Sequence, residues 1–291
     1  PAGKTDMDCR EIERSIITTY RKEIWSRFAK GVKEFDLAEE GDKIAVCISG
    51  GKDSMLLAKC MQELQKHGSR KFDLEFIVMD PGYAPANRAL IESNAAHLEI
   101  PVHVFETQVF DAAFSAPKNP CYLCARMRRG YLYEEAQKRG CNKIALGHHF
   151  DDAIETILMG MLYGGQIQGM PPKLHSTNHP GMQLIRPLYY VRERDIIRWK
   201  EHCGLTFLRC ACKFTEKSEE KEENSRRLFV KRLIAKLKED DPNVDINIFR
   251  SAYNVHVDTL IEYESGGKRR DFLSRYNARG RGRDEDSHTG D

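Results

Sequence analysis

The sequence of 291 residues predicts an α/β fold with a mostly parallel sheet. Two observations support this prediction: short apolar runs alternate with helical patterns through the first two thirds of the chain, and a glycine-rich loop links the first apolar run to a helix. Strands separated by helices form βαβ units, whose strands are parallel. Ligands bind beyond the carboxyl ends of such strands. We therefore expect the functional residues in the loops at 49–54, 80–83 and 147–152.

The predicted elements alternate in a regular order along the chain. A charged amphipathic helix is expected over 9–33, before the first strand. Strands are expected over 43–48, 74–79, 102–105 and 143–146. Helices are expected over 55–65, 85–98, around 131–138 and over 151–163, with a further helix over 224–237.

Composition divides the chain into four predicted segments. These are an N-terminal helical segment (1–40), the α/β domain (41–215), a small helical C-terminal extension (216–264) and a disordered tail (265–291). The boundary at 215 follows from the highly charged stretch that begins after Cys212. The tail is rich in glycine, arginine and acidic residues and has no apolar period, so we expect it not to form a packed structure.

Composition and charge narrow the class of protein. The chain is 41% hydrophobic and 31% charged, which is typical of a soluble globular protein, and its net charge of +2 does not by itself indicate a nucleic-acid partner. No apolar run approaches the ~20 residues that cross a bilayer, and no signal peptide is visible, so we expect a cytoplasmic protein without a membrane partner. The nine cysteines favour metal or catalytic roles in a reducing compartment over disulfides.

A hexapeptide directly after the first predicted strand has the composition of a phosphate-binding loop. It consists of Ser49, Gly50, Gly51, Lys52, Asp53 and Ser54. The glycines let backbone N–H groups approach an anion closely, and the following helix N-terminus adds partial positive charge. Lys52 can neutralise phosphate, while Asp53 can hold Mg²⁺ or cap the helix. The spacing differs from both the Walker A and the dinucleotide-binding patterns; the alternative is an ordinary glycine-rich turn.

The loop after the fourth predicted strand combines glycine, histidine and aspartate. Gly147 would permit close approach to a nucleotide. Asp151 or Asp152 can bind Mg²⁺ on a triphosphate or transfer a proton, or else only cap the next helix. His148 and His149 cannot both face the same site from extended backbone, because neighbouring side chains point apart.

Asp80 follows the second predicted strand, where a carboxylate can bind the ribose or the adenine edge of a nucleotide. The alternative is a structural role in the turn, because Pro81 and Gly82 are favourable turn residues.

Cysteines occur in two close groups. Cys121 and Cys124 are expected on one loop just before a helix, and the three arginines that follow would favour their thiolate forms. Cys210 and Cys212 lie far along the chain. The residues alone leave three interpretations open: a zinc site with all four thiolates, an iron–sulfur cluster with three cysteines, or a redox dithiol that carries a persulfide. The remaining cysteines in apolar patterns are expected to be buried, at positions 47, 60, 141 and 203.

Taken together, the motifs resemble those of a known family. The hexapeptide at 49–54 resembles the PP-loop of the N-type ATP pyrophosphatases. Asp-Pro-Gly-Tyr at 80–83, the cysteine–arginine segment at 120–130 and Gly-His-His-x-Asp-Asp at 147–152 resemble the tRNA 2-thiocytidine synthetase family (TtcA-like). The resemblance covers roughly residues 40–215.

This resemblance implies a Rossmann-like PP-loop fold (adenine nucleotide α-hydrolase-like), with ATP, Mg²⁺ and a 4Fe–4S cluster as cofactors. Asp53, Asp151 and Asp152 would be catalytic together with Cys121 and Cys124. The two cysteines would also be cluster ligands, with either Cys210 or Cys212 as the third, because relatives have Cys-x-x-Cys where this chain has Cys-x-Cys. The implied reaction is adenylation of a tRNA base oxygen and its replacement by sulfur, giving 2-thiocytidine in the anticodon loop.

The implied partners are tRNA and a sulfur donor, either sulfide or a cysteine desulfurase, and we also expect a homodimer. Basic and aromatic residues that can contact RNA include Arg126, Arg128, Arg129, Lys173, Arg186, Arg192, Arg194, Tyr189 and Tyr190, with further arginines in the tail. The alternatives are a 2-thiouridine-forming enzyme, a lysidine-synthetase-like ligase, which would not need the cysteines, and a zinc-dependent RNA-binding module, which would not need the phosphate loop.

Overall fold

A six-stranded sheet organises the first of two units into which the chain divides, Pro1–Pro242. The computed structural model describes residues 7–109, 120–208 and 226–284, and for residues 120–125 and 279–284 it describes the backbone alone. The strands are β1 (Lys43–Ile48), β2 (Asp73–Asp80), β3 (Val102–Glu106), β4 (Lys143–Ala145), β5 (Lys173–His175) and β6 (Gln183–Ile185). Their order is β3-β2-β1-β4-β6-β5, and only the β5–β6 pair is antiparallel. The predicted mostly parallel α/β fold is confirmed.

The direction in which strands are added to the sheet reverses between β1 and β4. The chain proceeds outward from β1 to β2 and β3, and then returns to place β4 on the other side of β1. The two strands are parallel neighbours, with Ile44 opposite Lys143 and Val46 opposite Ala145. Loops that follow parallel neighbours leave the sheet at the same edge, and such a switch point is where open α/β sheets bind ligands. The loops after β1 and β4 therefore lie side by side.

Helices cover the sheet and extend the unit at both ends of the chain. They are α1 (Cys9–Ile17), α2 (Ser26–Glu34), α3 (Lys52–His67), α4 (Pro85–His97), α5 (Pro120–Lys138), α6 (Phe150–Gly164), α7 (Glu193–His202) and α8 (Arg226–Asp240). The single helix predicted over 9–33 is wrong in one respect: a π-helical turn, Arg21–Trp25, interrupts it between α1 and α2. Among the described residues, no helix has the length and apolar character needed to cross a bilayer.

The start of α5 corrects the sequence prediction. The helix begins at Pro120 rather than near Tyr131, so the backbone of Cys121 and Cys124 belongs to its first two turns and not to a preceding loop. Proline is favoured at the first helical position, so Pro120 marks the start of the helix. A glycine within a helix costs only about 1 kcal/mol, so Gly130 does not end it.

Buried cysteines contribute to the core. Cys47, Cys60, Cys141 and Cys203 are all buried free thiols, as predicted, and Cys9 is another. Burial raises the pKa of the Cys47 and Cys60 thiols above the usual range, so both remain protonated and pack as small apolar groups.

The second unit is Asn243–Asp291, whereas the sequence predicted a helical extension over 216–264 and a disordered tail over 265–291. It contains α9 (Val244–Ser251), a 3-10 turn (Val257–Thr259), the antiparallel pair β7 (Glu262–Ser265) and β8 (Lys268–Asp271), and α10 (Phe272–Asp284). Gly266 and Gly267 join the strands with φ values of 59° and 72°, which a two-residue hairpin turn with positive φ requires. The amino-acid composition of residues 265–291 did not indicate this hairpin turn. The boundary between units follows α8, later than the predicted boundary at 215, and residues 285–291 lie outside the described part.

A buried lysine fastens α1 to the rest of the first unit. The Lys59 ammonium donates to Glu13 Oε1 at 2.6 Å and to the Leu98 carbonyl at 2.8 Å, and lies 3.4 Å from the Cys9 sulfur. Its side chain is 1% exposed, so these acceptors replace its hydration.

Replacement of this lysine should therefore destabilise the fold. We expect Lys59→Ala to lower the free energy of unfolding by about 3 kcal/mol, because it removes the buried partner of Glu13 and leaves a cavity. Lys66→Ala is the matched control, since Lys66 contacts the same Glu13 oxygen at 2.9 Å but is 48% exposed; it should cost less than about 1 kcal/mol. Urea denaturation measures both values, and equal losses would contradict this role of Lys59.

Candidate active site

The loop after β1 is shaped by one glycine and one serine. Gly50 has φ 82°, and a Cβ there would lie 2.5 Å from Cγ1 of Ile91, so only glycine fits. The buried Ser54 hydroxyl accepts the Ser49 N–H at 3.2 Å and donates to the Gly51 carbonyl at 3.0 Å. These bonds close the loop immediately before α3 begins at Lys52, whose N-terminal end can receive an anion.

Gly147, in the loop after β4, approaches the same loop closely. A Cβ at this position would lie 3.1 Å from the carbonyl carbon of Asp53 and 3.1 Å from the nitrogen of Ser54. Neither backbone atom can move without displacing the start of α3. The close approach predicted for Gly147 is therefore made to the phosphate-binding loop itself.

Lys52 and Asp53 carry the charge of the loop. The Lys52 ammonium lies 3.1 Å from Asp53 Oδ2 and 3.3 Å from Glu193 Oε1 on α7. Burial lowers the pKa of Lys52, but the two carboxylates outweigh burial and raise it overall, so Lys52 is charged. The other Asp53 oxygen, Oδ1, is buried and accepts no hydrogen bond from the described residues. An unsatisfied buried carboxylate oxygen is suited to a cation that arrives with a ligand.

The two aspartates of α6 have different surroundings. Asp152 forms a capping box with His149, accepting the His149 N–H at Oδ2 (3.0 Å) and donating its own N–H to the imidazole Nδ1 (3.4 Å). Asp151 accepts the N–H of Glu193 at 2.7 Å and so orients the start of α7. Asp152 therefore has the capping role that was its alternative, but it also lines the cavity described below. Asp151 does not cap α6 through its side chain but contacts α7 instead.

Arg227 of α8 completes the site and was missed by the sequence analysis. Its Nη2 lies 2.6 Å from Asp152 Oδ1 and its Nε lies 2.7 Å from Glu155 Oε2. One turn later, Lys231 lies 2.5 Å from Glu193 Oε2. Burial raises the pKa of Glu155, which Arg227 only partly offsets, whereas His149 and Arg227 outweigh burial and lower the pKa of Asp152. The one available signal was the Arg227–Lys231 pair at helical spacing.

Several of these groups line one cavity of about 390 Å³, here called the loop cavity. Its lining residues are Cys47, Ile48, Ser49, Asp53, Ser54, Met79, Arg128, Arg129, Leu132, Leu146, Gly147, His148, Asp152 and Arg227. A second cavity of about 410 Å³ shares Asp53, Asp152 and Arg227 with it. Ligand cavities of small molecules measure roughly 300–1,000 Å³. The lining combines phosphate-binding backbone, the carboxylates of Asp53 and Asp152 and three arginines, which suits a nucleotide with its cation.

Other predicted residues lie elsewhere or outside the described part. Asp80 Oδ1 accepts the N–H groups of Gly82 and Tyr83 at 2.8 and 2.7 Å, and Oδ2 pairs with Arg88 at 3.2 Å, so its carboxylate stabilises a turn. The structure does not bring Asp80 into the loop cavity. Cys210 and Cys212 lie outside the described residues, as do the side chains of residues 120–125, including both cysteines of α5.

The described residues contain no group of three or more His, Cys, Asp or Glu side chains arranged to hold a metal ion. Mg²⁺ is usually held by one or two carboxylates together with substrate phosphates and water. Asp53 and Asp152 fit this arrangement, because both line the cavity into which a triphosphate would extend.

Several residues expected to contact RNA instead stabilise the fold. Arg192 stacks on the Phe150 ring at 3.9 Å, and Tyr190 donates to Glu34 at 2.6 Å. Arg186 is buried, which lowers its pKa to about 10, and it donates to the Pro171 carbonyl. Three of the predicted arginines do line cavities. Arg128 and Arg129 line the loop cavity, and Arg126 and Arg129 line another cavity beside α5.

Comparison with known proteins gives one family and a consistent group of relatives. The PP-loop domain family matches residues 21–233. The tRNA-cytidine(32) 2-sulfurtransferase of Coxiella burnetii is 35% identical over 238 residues, covering 81% of this chain and 90% of that protein. The protein of the same name from Geobacter metallireducens is 34% identical over 249 residues, covering 84% and 94%.

Among solved structures, the U34-tRNA thiolase NcsA from Methanococcus maripaludis with its 4Fe–4S cluster matches with a TM-score of 0.62 and 20% identity, covering 82% of this chain and 80% of that one. At this identity the match supports the fold.

Replacement of Arg227 should weaken nucleotide binding. We expect Arg227→Gln to reduce affinity for a non-hydrolysable ATP analogue about tenfold, which corresponds to one charge-assisted hydrogen bond. Arg226→Gln is the control, since the Arg226 guanidinium lies 5.0 Å above the Tyr163 ring and does not line the cavity. Calorimetry should detect less than about a twofold change for this control. Equal affinities of the two variants for the ATP analogue would contradict a role of Arg227 in nucleotide binding.

His148 should make the stability of the fold depend on pH. Burial, with smaller effects from Arg186 and Arg227, lowers its pKa from 6.5 to about 4. Between these values the unfolded chain binds a proton that the folded chain does not, so this contribution to stability is complete above pH 6.5 and decreases as the pH falls towards 4. Urea denaturation at pH 7 and pH 5 should therefore show a larger loss for the wild type than for His148→Asn. Parallel losses would contradict the depressed pKa.

Proposed function

Because the chain belongs to the PP-loop family and, within it, to the family of the tRNA-cytidine(32) 2-sulfurtransferases, we propose that it is an ATP-dependent enzyme that converts a cytidine of the tRNA anticodon loop into 2-thiocytidine. The observation that carries this proposal is the convergence of the loop at 49–54, Asp152 and Arg227 on one cavity. A lysidine-synthetase-like ligase would share this convergence, but it would not need the cysteines of α5.

The first chemical step is adenylation of the base. ATP binds with its phosphates against the N–H groups of the loop at 49–54, and Lys52 and Arg227 exchange carboxylate partners for phosphate oxygens. Asp53 and Asp152 would hold Mg²⁺, which would neutralise phosphate charge. The O2 atom of the cytidine forms a bond to the α-phosphorus, the bond from that phosphorus to the β-phosphate oxygen breaks, and pyrophosphate leaves with the electron pair.

The second step replaces the activated oxygen. Hydrosulfide attacks C2 of the base, the bond between C2 and O2 breaks, and AMP leaves carrying the former base oxygen. The cavity contributes chiefly by holding both reactants in contact and by keeping fixed positive groups around the leaving AMP. The sulfur donor is sulfide or a cysteine desulfurase, and we place the reaction in the cytoplasm. We also expect the enzyme to act as a homodimer.

The cysteines would hold the 4Fe–4S cluster. Thiolates are the ligands of such clusters, so the donor set of Cys121, Cys124 and either Cys210 or Cys212 fits. The helix that begins with the first two also carries Arg128 and Arg129, which line the loop cavity. When bound, the cluster would supply an open iron position at which sulfide can be presented to the base.

The proposed function can be tested in cells and on the purified protein. Mass spectrometry of tRNA nucleosides should show that 2-thiocytidine disappears when the gene is deleted and returns when it is restored. A protein purified without oxygen should contain iron and acid-labile sulfide. Unchanged 2-thiocytidine in the deletion strain would refute the assignment of this base, and a zinc-loaded, iron-free protein would refute the cluster.

Two sets of variants should separate the half-reactions. Asp53→Ala should abolish tRNA-dependent release of pyrophosphate, because it removes the carboxylate nearest Lys52. Cys121→Ser and Cys124→Ser should retain pyrophosphate release and lose thiolation, because the cluster that they would bind takes part in the second step and not in adenylation. A pyrophosphate assay with parallel nucleoside analysis measures both steps. Full thiolation by the cysteine variants would exclude the cluster mechanism, and normal ATP turnover by Asp53→Ala would exclude the phosphate-loop assignment.

A further inference from the structure

A third cavity, larger than the loop cavity, lies between α5 and the turn that joins β5 to β6. Its volume is about 640 Å³, and we call it the α5 cavity. Its lining residues are Arg126, Met127, Arg129, Gly130, Tyr133 and the segment 174–179. Arg129 also lines the loop cavity, so the two cavities adjoin at this side chain. A ligand that occupied both would pass Arg129.

One wall of the α5 cavity is a fixed aromatic platform. The rings of Tyr133 and His179 stack with centroids 4.9 Å apart and an interplanar angle of 21°. Tyr133 is buried, and the His179 backbone N–H donates to the Ser176 hydroxyl at 3.1 Å. The carbonyl of His179 accepts the Met182 N–H at 3.1 Å, and Ser176 donates its N–H to Met182 at 2.9 Å, which closes the turn. A planar ring held in this way can stack a nucleobase.

The charged side chains that the structure describes around this cavity are arginines without an acidic partner. Arg126 and Arg129 are exposed, are three residues apart on α5, and make no salt bridge with any described residue. In contrast, Arg139, directly after the same helix, pairs with Glu135 at 2.8 Å and with Glu75 at 3.6 Å. No aspartate or glutamate is among the described lining residues. Arginines beside an aromatic platform, without acidic partners, are suited to the phosphates of a nucleic acid.

We propose that the α5 cavity binds a nucleotide of the substrate RNA that neighbours the target cytidine, an inference that rests on the proposed function. The base of this nucleotide stacks on His179, and its phosphate contacts Arg126 and Arg129. Ser176, Thr177 and Asn178 present donors and acceptors to the base edge or the 2′-hydroxyl. Because Arg129 borders both cavities, it contacts the phosphate that links this nucleotide to the one in the loop cavity.

Binding of an anticodon stem-loop RNA to full-length variants tests this proposal. His179→Ala should weaken RNA binding about tenfold, as loss of base stacking does, while His179→Phe should restore it. Arg126→Gln should reduce the slope of log Kd against log salt concentration by about one, as loss of one phosphate contact does. Lys138→Gln is the control, because Lys138 is an exposed cation on the same helix that does not line the cavity. Affinity for an ATP analogue should stay within about twofold of wild type in all four variants.

The outcomes distinguish this proposal from the proposed function. Wild-type RNA affinity in both His179→Ala and Arg126→Gln would overturn the nucleotide site, and so would an equal effect of Lys138→Gln. A weaker ATP analogue affinity in His179→Ala that His179→Phe does not restore would indicate a merely structural role. If the free nucleotide CMP bound with the same sensitivity to His179→Ala while the RNA did not, the ligand would not be RNA. Absence of thiolation by the wild type would refute the function, whichever way the RNA affinities fall.

Discussion

The site depends on a backbone contact between two neighbouring loops. Gly147 lies so close to the start of α3 that a Cβ would be 3.1 Å from backbone atoms of Asp53 and Ser54. Because β1 and β4 are parallel neighbours, their loops leave the sheet at the same edge, and this contact joins them. The phosphate-binding loop and the carboxylate of Asp152 therefore share one cavity. A side chain at position 147 would separate the two halves of the site without disturbing the sheet.

Charge pairing within the site determines how a nucleotide can enter it. Lys52 and Arg227 already contact carboxylates, so phosphate oxygens would replace protein anions rather than water. Such an exchange keeps each cation paired throughout, which limits the cost of moving charge into a partly buried cavity. The exchange would also free Asp152 of Arg227 and Glu193 of Lys52, while Glu193 keeps its ion pair with Lys231 of α8.

Short sequence patterns predicted the features that are determined by residues close together in the chain. The alternation of apolar runs and helices gave the parallel strands, and glycines at 50, 51 and 147 indicated the loops that meet. Arg227 was missed because its partner Asp152 is 75 residues away, a distance at which no periodicity links them. β5 and β6 have three residues each, too few for an alternating pattern, and the hairpin of the second unit depends on the φ values of Gly266 and Gly267. A carboxylate at position 80 is compatible with both a ligand contact and a turn, and only the structure shows that Asp80 accepts the N–H groups of Gly82 and Tyr83.

In the proposed reaction, the base oxygen is activated as an adenylate and leaves with AMP. The most direct measurement uses tRNA whose target cytidine carries oxygen-18 at C2, with unlabelled ATP, sulfide and the purified enzyme. Mass spectrometry of the nucleotide product should show one oxygen-18 in AMP for each 2-thiocytidine formed. Unlabelled AMP, with the heavy oxygen recovered in water or retained in the RNA, would contradict adenylation of the base.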